Sequence, residues 1–134
     1  MAHIFDALAL ELGSDCLSYQ EALHLLALRQ ALSTAQSSIL DLGSGHCSFT
    51  LEPNLDELKA ILAPHPTVCL WPSRDPHRAV RILCKRNRRD PIETAREMRR
   101  HRGRSIARAV VYTEWDGIDA VASRVLDLER SFAR

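Results

Sequence analysis

The sequence predicts an α/β fold in which helices alternate with short apolar strands of a parallel sheet. Three apolar runs of strand length, Ser38–Leu42, Thr67–Trp71 and Ala109–Thr113, are separated by stretches long enough for crossover helices. The first run enters a glycine turn, Gly43-Ser44-Gly45, and the second stops at Pro72. The intervening stretches carry helical spacing and helix-start signals, of which Asp75-Pro76 is the clearest.

The 134 residues are expected to form one domain, 1–134, able to bury a modest core. No apolar run approaches the roughly 20 residues of a membrane span, so no membrane partner is expected. The opening MAHIFDALALELG lacks a basic segment and a small-residue cleavage site, which points to a cytoplasmic location. Cys16, Cys47, Cys69 and Cys84 form no C-x-x-C pair. In a cytosolic chain they are expected as buried thiols rather than disulfides or zinc ligands.

The net charge of +1 conceals an asymmetry. The first seventy residues hold only Arg29 and Lys59 as cations against eight acids. From Arg74 to Arg108 there are twelve arginines and Lys85, against Asp75, Asp90, Glu93 and Glu97. Arginine suits bidentate grip on phosphate or carboxylate. A GC-rich coding bias and a solvated helix face are the bland alternatives.

In chain order, Ile4–Leu12 reads as a short amphipathic helix ended by Gly13. Ser18 with Glu21 forms a capping box for a helix over 19–35. Its leucines are spread broadly enough for burial on more than one side, and His24 reads as a packing residue. After the glycine turn, Pro53-Asn54 starts a helix over Leu55–Leu62, with Asp56 and Glu57 where the helix dipole favours acids. Asp75-Pro76 starts the next helix, carrying Ala79, Val80, Ile82 and Leu83. A polar stretch, Lys85–Pro91, leads into a basic helix from Ile92 to Arg102 that Gly103 is expected to break. Ile118, Val121, Val125 and Leu128 place one apolar face on a last helix, Ile118–Phe132.

Two families use a strand that runs into such a glycine turn. Ile39–Cys47, ILDLGSGHC, resembles the first motif of the Rossmann-like S-adenosylmethionine methyltransferases. Cys47 replaces that motif's third glycine, and TVCLWP lacks the acid that the family sets at the end of its next strand. The second resemblance covers nearly the whole chain. Ile4…Gly13…Glu21, LDLGSGH (Leu40–His46), LWPSRDPHRAVRIL (Leu70–Leu83), Arg88-Arg89-Asp90-Pro91 and VVYTEWDGIDAVASRVL (Val110–Leu126) together resemble the later two-thirds of a shikimate-kinase-like P-loop kinase.

That resemblance implies a three-layer α/β/α domain with a short parallel sheet, P-loop-kinase-like but without the P-loop strand, and a lid-like segment over about 85–104. The G-x-x-x-x-G-K-[ST] that cradles ATP phosphates has no counterpart, and Ser18 stands where the family carries a substrate-binding arginine. The matching positions imply substrate contacts from Gly43, Ser44, Gly45, His46, Arg89, Arg99 and Arg102, with Thr113 and Trp115 beside a nucleotide base. His46 is also a general-base candidate, although a histidine there reads first as a hydrogen-bonding fixture. No catalytic residue and no metal ligand is assigned.

The function expected is therefore a degenerate or truncated kinase-like domain, without phosphotransfer of its own, that binds an anionic small molecule or a partner. The isolated chain is expected to use no cofactor. ATP and magnesium enter only if a preceding segment or partner chain supplies the nucleotide site, making an ATP-dependent small-molecule kinase the alternative. Methyltransferase-like and polyanion-binding readings follow. Nucleic acid is disfavoured because the arginine belt lacks interleaved aromatics. Without a P-loop strand, Ser38–Leu42 is expected either to pair with Thr67–Trp71 or to leave an edge that a second chain covers.

Overall fold

The structure, a computed structural model, describes residues 14–34, 39–43 and 47–132. The helix expected over Ile4–Leu12 lies outside them. The elements are α1 (Ser14–Thr34), α2 (Glu52–Leu62), β1 (Val68–Trp71), α3 (Pro76–Asn87), α4 (Pro91–Arg100), α5 (Gly103–Ile106), β2 (Ala109–Tyr112) and α6 (Ile118–Phe132). The fold is mixed α/β and mostly helical, with a two-stranded parallel sheet among the described residues. The chain divides into two compact units, Met1–Ile61 and Leu62–Arg134.

In the first unit Leu25, Leu28, Phe49, Leu55 and Leu58 are buried. The ring of His24 packs tilted on Phe49, with centroids 6.4 Å apart, as a packing residue should. The start of α1 corrects the capping-box expectation: the helix is already formed at Ser14, and Ser18 is an exposed interior position. Glu21 does not reach back to Ser18, because its buried carboxylate serves the start of α2. It accepts from Thr50 N at 2.7 Å, Thr50 Oγ1 at 2.8 Å and Asn54 Nδ2 at 2.9 Å, with Leu51 N at 3.4 Å from both oxygens. An acid from a distant helix thus satisfies donors that a helix start would otherwise leave open.

The first expected strand is also corrected. Ile39–Leu42 forms no strand, and Ile39 is 94% exposed. Asp41 Oδ1 instead accepts from Gly43 N at 3.0 Å, closing a local turn that competes with a strand ladder. Gly43 adopts φ +59°, the left-handed region in which a glycine costs least. Residues 39–42 thus offer no strand, among the described residues, for the expected pairing of Ser38–Leu42 with Thr67–Trp71.

The second unit follows the sequence more closely. β1 pairs in parallel with β2, Val68 against Ala109 through Trp71 against Tyr112. The crossover between them carries α3, α4 and α5. Asp75 caps α3, its Oδ1 accepting from His77 N at 2.8 Å and Arg78 N at 3.1 Å, with Pro76 at the first helical position. Ala79 and Ile82 of α3 are completely buried. The helix stops at Arg88, which takes φ 52°. Asp90 then repeats the same cap-and-proline start for α4, accepting from Ile92 N at 2.8 Å and Glu93 N at 3.0 Å.

Gly103 corrects the expected end of the basic helix: α4 ends at Arg100, and Gly103 opens α5 rather than only breaking a helix. A Cβ at Gly103 would lie 2.4 Å from His101 Cε1 and 3.1 Å from Cys69 Sγ, so the imidazole and thiol occupy the space a side chain would need. His101 Nδ1 accepts from Gly103 N at 3.1 Å, and its ring stands 5.3 Å from that of Trp71. α6 has the expected bounds, but its face is only partly covered: Val121, Val125 and Leu128 are half-buried and Ile118 is exposed. Cys69 is buried, and Cys47 and Cys84 are half-buried. No helix among the described residues is long and apolar enough to cross a membrane.

Candidate functional site

Parallel strands deliver loops to the carboxyl edge of their sheet, where open α/β folds bind ligands. In the second unit these loops are Pro72–Asp75 after β1 and Thr113–Gly117 after β2. The ladder continues one step beyond the strands, with Thr113 N donating to Trp71 O at 2.8 Å and Glu114 N to Pro72 O at 2.7 Å. The two loops therefore leave the sheet side by side.

Glu114 organises this edge. It holds φ 45°, a left-handed conformation unusual for a glutamate. Its Oε2 pairs with Arg78 Nη2 at 2.8 Å, its Oε1 accepts from Ser73 Oγ at 3.4 Å, and its carbonyl accepts from Arg86 Nη2 at 2.7 Å. These three contacts, with the Glu114 N bond to Pro72 O, tie the loop after β2 to the loop after β1 and to both ends of α3. On the far side of the loop, Arg124 of α6 donates to Tyr112 O at 2.9 Å and pairs with Asp116.

The ties leave a shallow recess of about 370 Å³ lined by Arg78, Arg81, Lys85 and Trp115. Arg78, Arg81 and Lys85 are spaced i, i+3 and i+7 along α3 and so share one face. Among the described residues only Arg78 of the three has a carboxylate partner within ion-pair distance. Lys85 Nζ lies 5.2 Å from the centroid of the Trp115 ring, which is 53% exposed. Cation and indole attract one another there, so the ammonium is held over the ring rather than extended into water. Arg74 lies over Tyr112, 5.0 Å from its centroid, beside a broader hollow of about 620 Å³ between β2 and α6. That hollow mixes Glu114, Asp116 and Asp127 with Arg74 and Arg124, which leaves it no single charge preference. Among the described residues no group of three or more His, Cys, Asp or Glu side chains is placed to hold a metal.

Of the residues expected at the site, Thr113 and Trp115 lie on this edge. Thr113 is buried in the ladder extension, whereas Trp115 is open to solvent. Arg89 is exposed and pairs with Glu97 at 2.7 Å. Arg99 and Arg102 are exposed, Arg99 Nε donating to Ala95 O of its own helix at 3.3 Å and Arg102 standing at the N-cap position of α5 without a side-chain cap bond. Gly43 belongs to the first unit, and Ser44, Gly45 and His46 lie outside the described residues. The sequence reading missed Arg78, Arg81, Lys85 and Glu114. Their signal was the i, i+3, i+7 spacing of the cations after Asp75-Pro76, and the acid directly following the last strand.

No protein-family model, curated protein or solved structure matches this chain.

Proposed function

We propose that the chain is a shikimate-kinase-like domain that binds an anionic small molecule at the carboxyl edge of its sheet and transfers no phosphoryl group by itself. The observation that carries the reading is the recess in which Arg78, Arg81 and Lys85 converge beside Trp115. Three cations on one helix face repel one another, and a bound anion relieves that repulsion while gaining charge-assisted hydrogen bonds. The order of elements supports the kinase-like part of the reading: β1 ends at a proline, a D-P-x-R-A helix follows, then an arginine-bearing segment, then V-V-Y-T-E. A three-layer arrangement completed by other strands belongs to the same proposal.

Charge placement supports the proposed lack of phosphotransfer. Phosphoryl transfer needs a cation and usually a metal against the transferring group. The only lysines are Lys59 and Lys85, and Lys85 is engaged over Trp115 rather than held in a glycine loop.

The test is a titration of the full chain with inorganic pyrophosphate, read by Trp115 fluorescence in a Trp71→Phe background and by proton–nitrogen NMR shifts. Saturable shifts at Arg78, Arg81, Lys85 and Trp115, weakened at least tenfold by Arg81→Ala/Lys85→Ala, are expected. Shifts confined to other residues, or a variant that binds as well as wild type, would overturn the assignment.

A further inference from the structure

We infer that the outward face of α4 is a second anionic-ligand surface, and that it docks on the phosphate backbone of a nucleic-acid duplex through Arg96, Arg99, Arg100 and Arg102. The inference is independent of the small-molecule recess, from which it differs in residues and in ligand.

The arginines between Arg74 and Arg108 divide by use. Arg78 pairs with Glu114 and Arg89 with Glu97. Arg86 donates to the Glu114 carbonyl. Arg74, Arg104 and Arg108 each lie over an aromatic ring, at 5.0, 4.6 and 4.7 Å from the centroids of Tyr112, Trp71 and Phe132. Among the described residues Arg81, Arg88, Arg96, Arg99, Arg100 and Arg102 have neither an acid partner nor a ring, and all are exposed. Arg81 lines the recess on α3 and Arg88 ends that helix, which leaves the other four together on and just after α4. Of the acids on the same helix, Glu97 is taken by Arg89, and Glu93, three residues before Arg96, makes no ion pair among the described residues.

Helix geometry concentrates these charges. Arg96, Arg99 and Arg100 stand at i, i+3 and i+4, which sets them on one side of α4 as close neighbours. The buried Thr94 and the half-buried Ala95 and Met98 take the other side. Arg102 continues the basic run just past the helix end. Like charges at this spacing disfavour the helix that carries them, so a helix that keeps them unpaired is better suited to a polyanion than to water alone.

The residue types favour phosphate and a duplex. The cations are all arginine, whose planar fork matches two phosphate oxygens. A four-residue step along the helix rises about 6 Å. Successive phosphates of one strand step only about 3.4 Å along a duplex axis, so side chains set one helical turn apart can each reach a different phosphate. Aromatic rings that would stack unpaired bases are absent from this face, which disfavours a single strand. An anionic membrane fits less well, because an interfacial helix inserts a broad apolar face. Here the face offers one exposed apolar side chain, Ile92.

The test is fluorescence anisotropy of a labelled 20-base-pair DNA duplex with the full chain across a salt series, beside sedimentation with phosphatidylserine-containing vesicles. Four phosphate contacts give a slope of log K against log salt of about −3.6. Arg96→Ala/Arg99→Ala/Arg100→Ala should leave a slope near −0.9 and weaken binding on the order of 10²-fold at 0.1 M salt. Arg130→Ala, at an exposed arginine of α6, should change neither quantity. Circular dichroism of each variant reports whether α4 is kept, and Arg96→Lys/Arg99→Lys/Arg100→Lys, which retains charge, should keep most of the slope. No duplex binding at 50 mM salt, a slope unchanged in the alanine variant, or binding to vesicles but not to duplex would each overturn the inference.

Discussion

Replacing Glu21 tests the least expected contact in the chain. Its carboxylate lies 5% exposed and takes three short hydrogen bonds, from Thr50 N at 2.7 Å, Thr50 Oγ1 at 2.8 Å and Asn54 Nδ2 at 2.9 Å. A hydrogen bond to a charged group contributes about 1.5–3 kcal/mol, so a simple sum would exceed ~4 kcal/mol. Thr50 and Leu51 are exposed, however, so water re-solvates part of what Glu21→Ala releases, and contacts sharing one acceptor are not additive. We expect Glu21→Ala to cost about 2–4 kcal/mol. Glu21→Gln keeps the shape and one acceptor but turns an amide donor toward another donor, and should cost about 1–2 kcal/mol.

The assay is urea unfolding followed by far-ultraviolet circular dichroism, with hydrogen exchange at the Thr50 and Leu51 amides. The pH profile supplies an independent check. Burial raises the Glu21 carboxyl pKa, but the hydrogen bonds from Thr50, Asn54 and Leu51 outweigh it and hold the group below its ordinary 4.5. The stability it contributes is therefore present above about pH 4.5 and lost as pH falls through the lowered value. Glu21→Gln should remove that acid-side loss. A Glu21→Ala cost below about 0.5 kcal/mol, within the range of an ordinary surface change, would refute the reasoning.

Other expectations concern the second unit. Ile82→Ala, at a completely buried position, should cost about 2–5 kcal/mol in urea unfolding followed by Trp71 fluorescence. Gly103→Ala drives a Cβ into the His101 ring and the Cys69 thiol, and should cost about 1–3 kcal/mol, with His101 Cε1–H shifted in the NMR spectrum. His101 titrates in the same place: burial and then the Arg104 charge hold its imidazole below the ordinary 6.5. The unfolded state therefore binds the proton first, so stability is full above about pH 6.5 and declines as pH falls toward the lowered native value. A native His101 titrating above 6.5 by NMR would contradict the Nδ1 contact with Gly103 N.

The sequence disclosed those parts of the fold whose causes are local. Asp75-Pro76 combines a side-chain cap with a ring that pre-sets the first helical φ, and α3 starts there; Asp90-Pro91 starts α4 by the same device, although it reads in the sequence as the end of a polar stretch. The strands Val68–Trp71 and Ala109–Tyr112 stood out as apolar runs between breakers. What failed depended on distant partners. Ser18 and Glu21 match a capping box locally, but Glu21 is drawn away by donors about thirty residues further on. Ile39–Leu42 has the residues of a strand, but Asp41 closes a turn with Gly43 instead. At the candidate site Trp115 was legible as a residue after the last strand. The role of Glu114 was not, because only the parallel pairing brings it to Ser73, Arg78 and Arg86.

The proposed function rests on an anion site that does not recognise a nucleotide base. Calorimetry of the full chain with Mg-ATP and with magnesium tripolyphosphate, at equal ionic strength, measures this directly. The account predicts that both bind at the Arg78, Arg81 and Lys85 recess with affinities within about threefold of each other, and that no ADP accumulates. Sub-millimolar binding of Mg-ATP at least tenfold tighter than tripolyphosphate, or steady release of ADP, would contradict it.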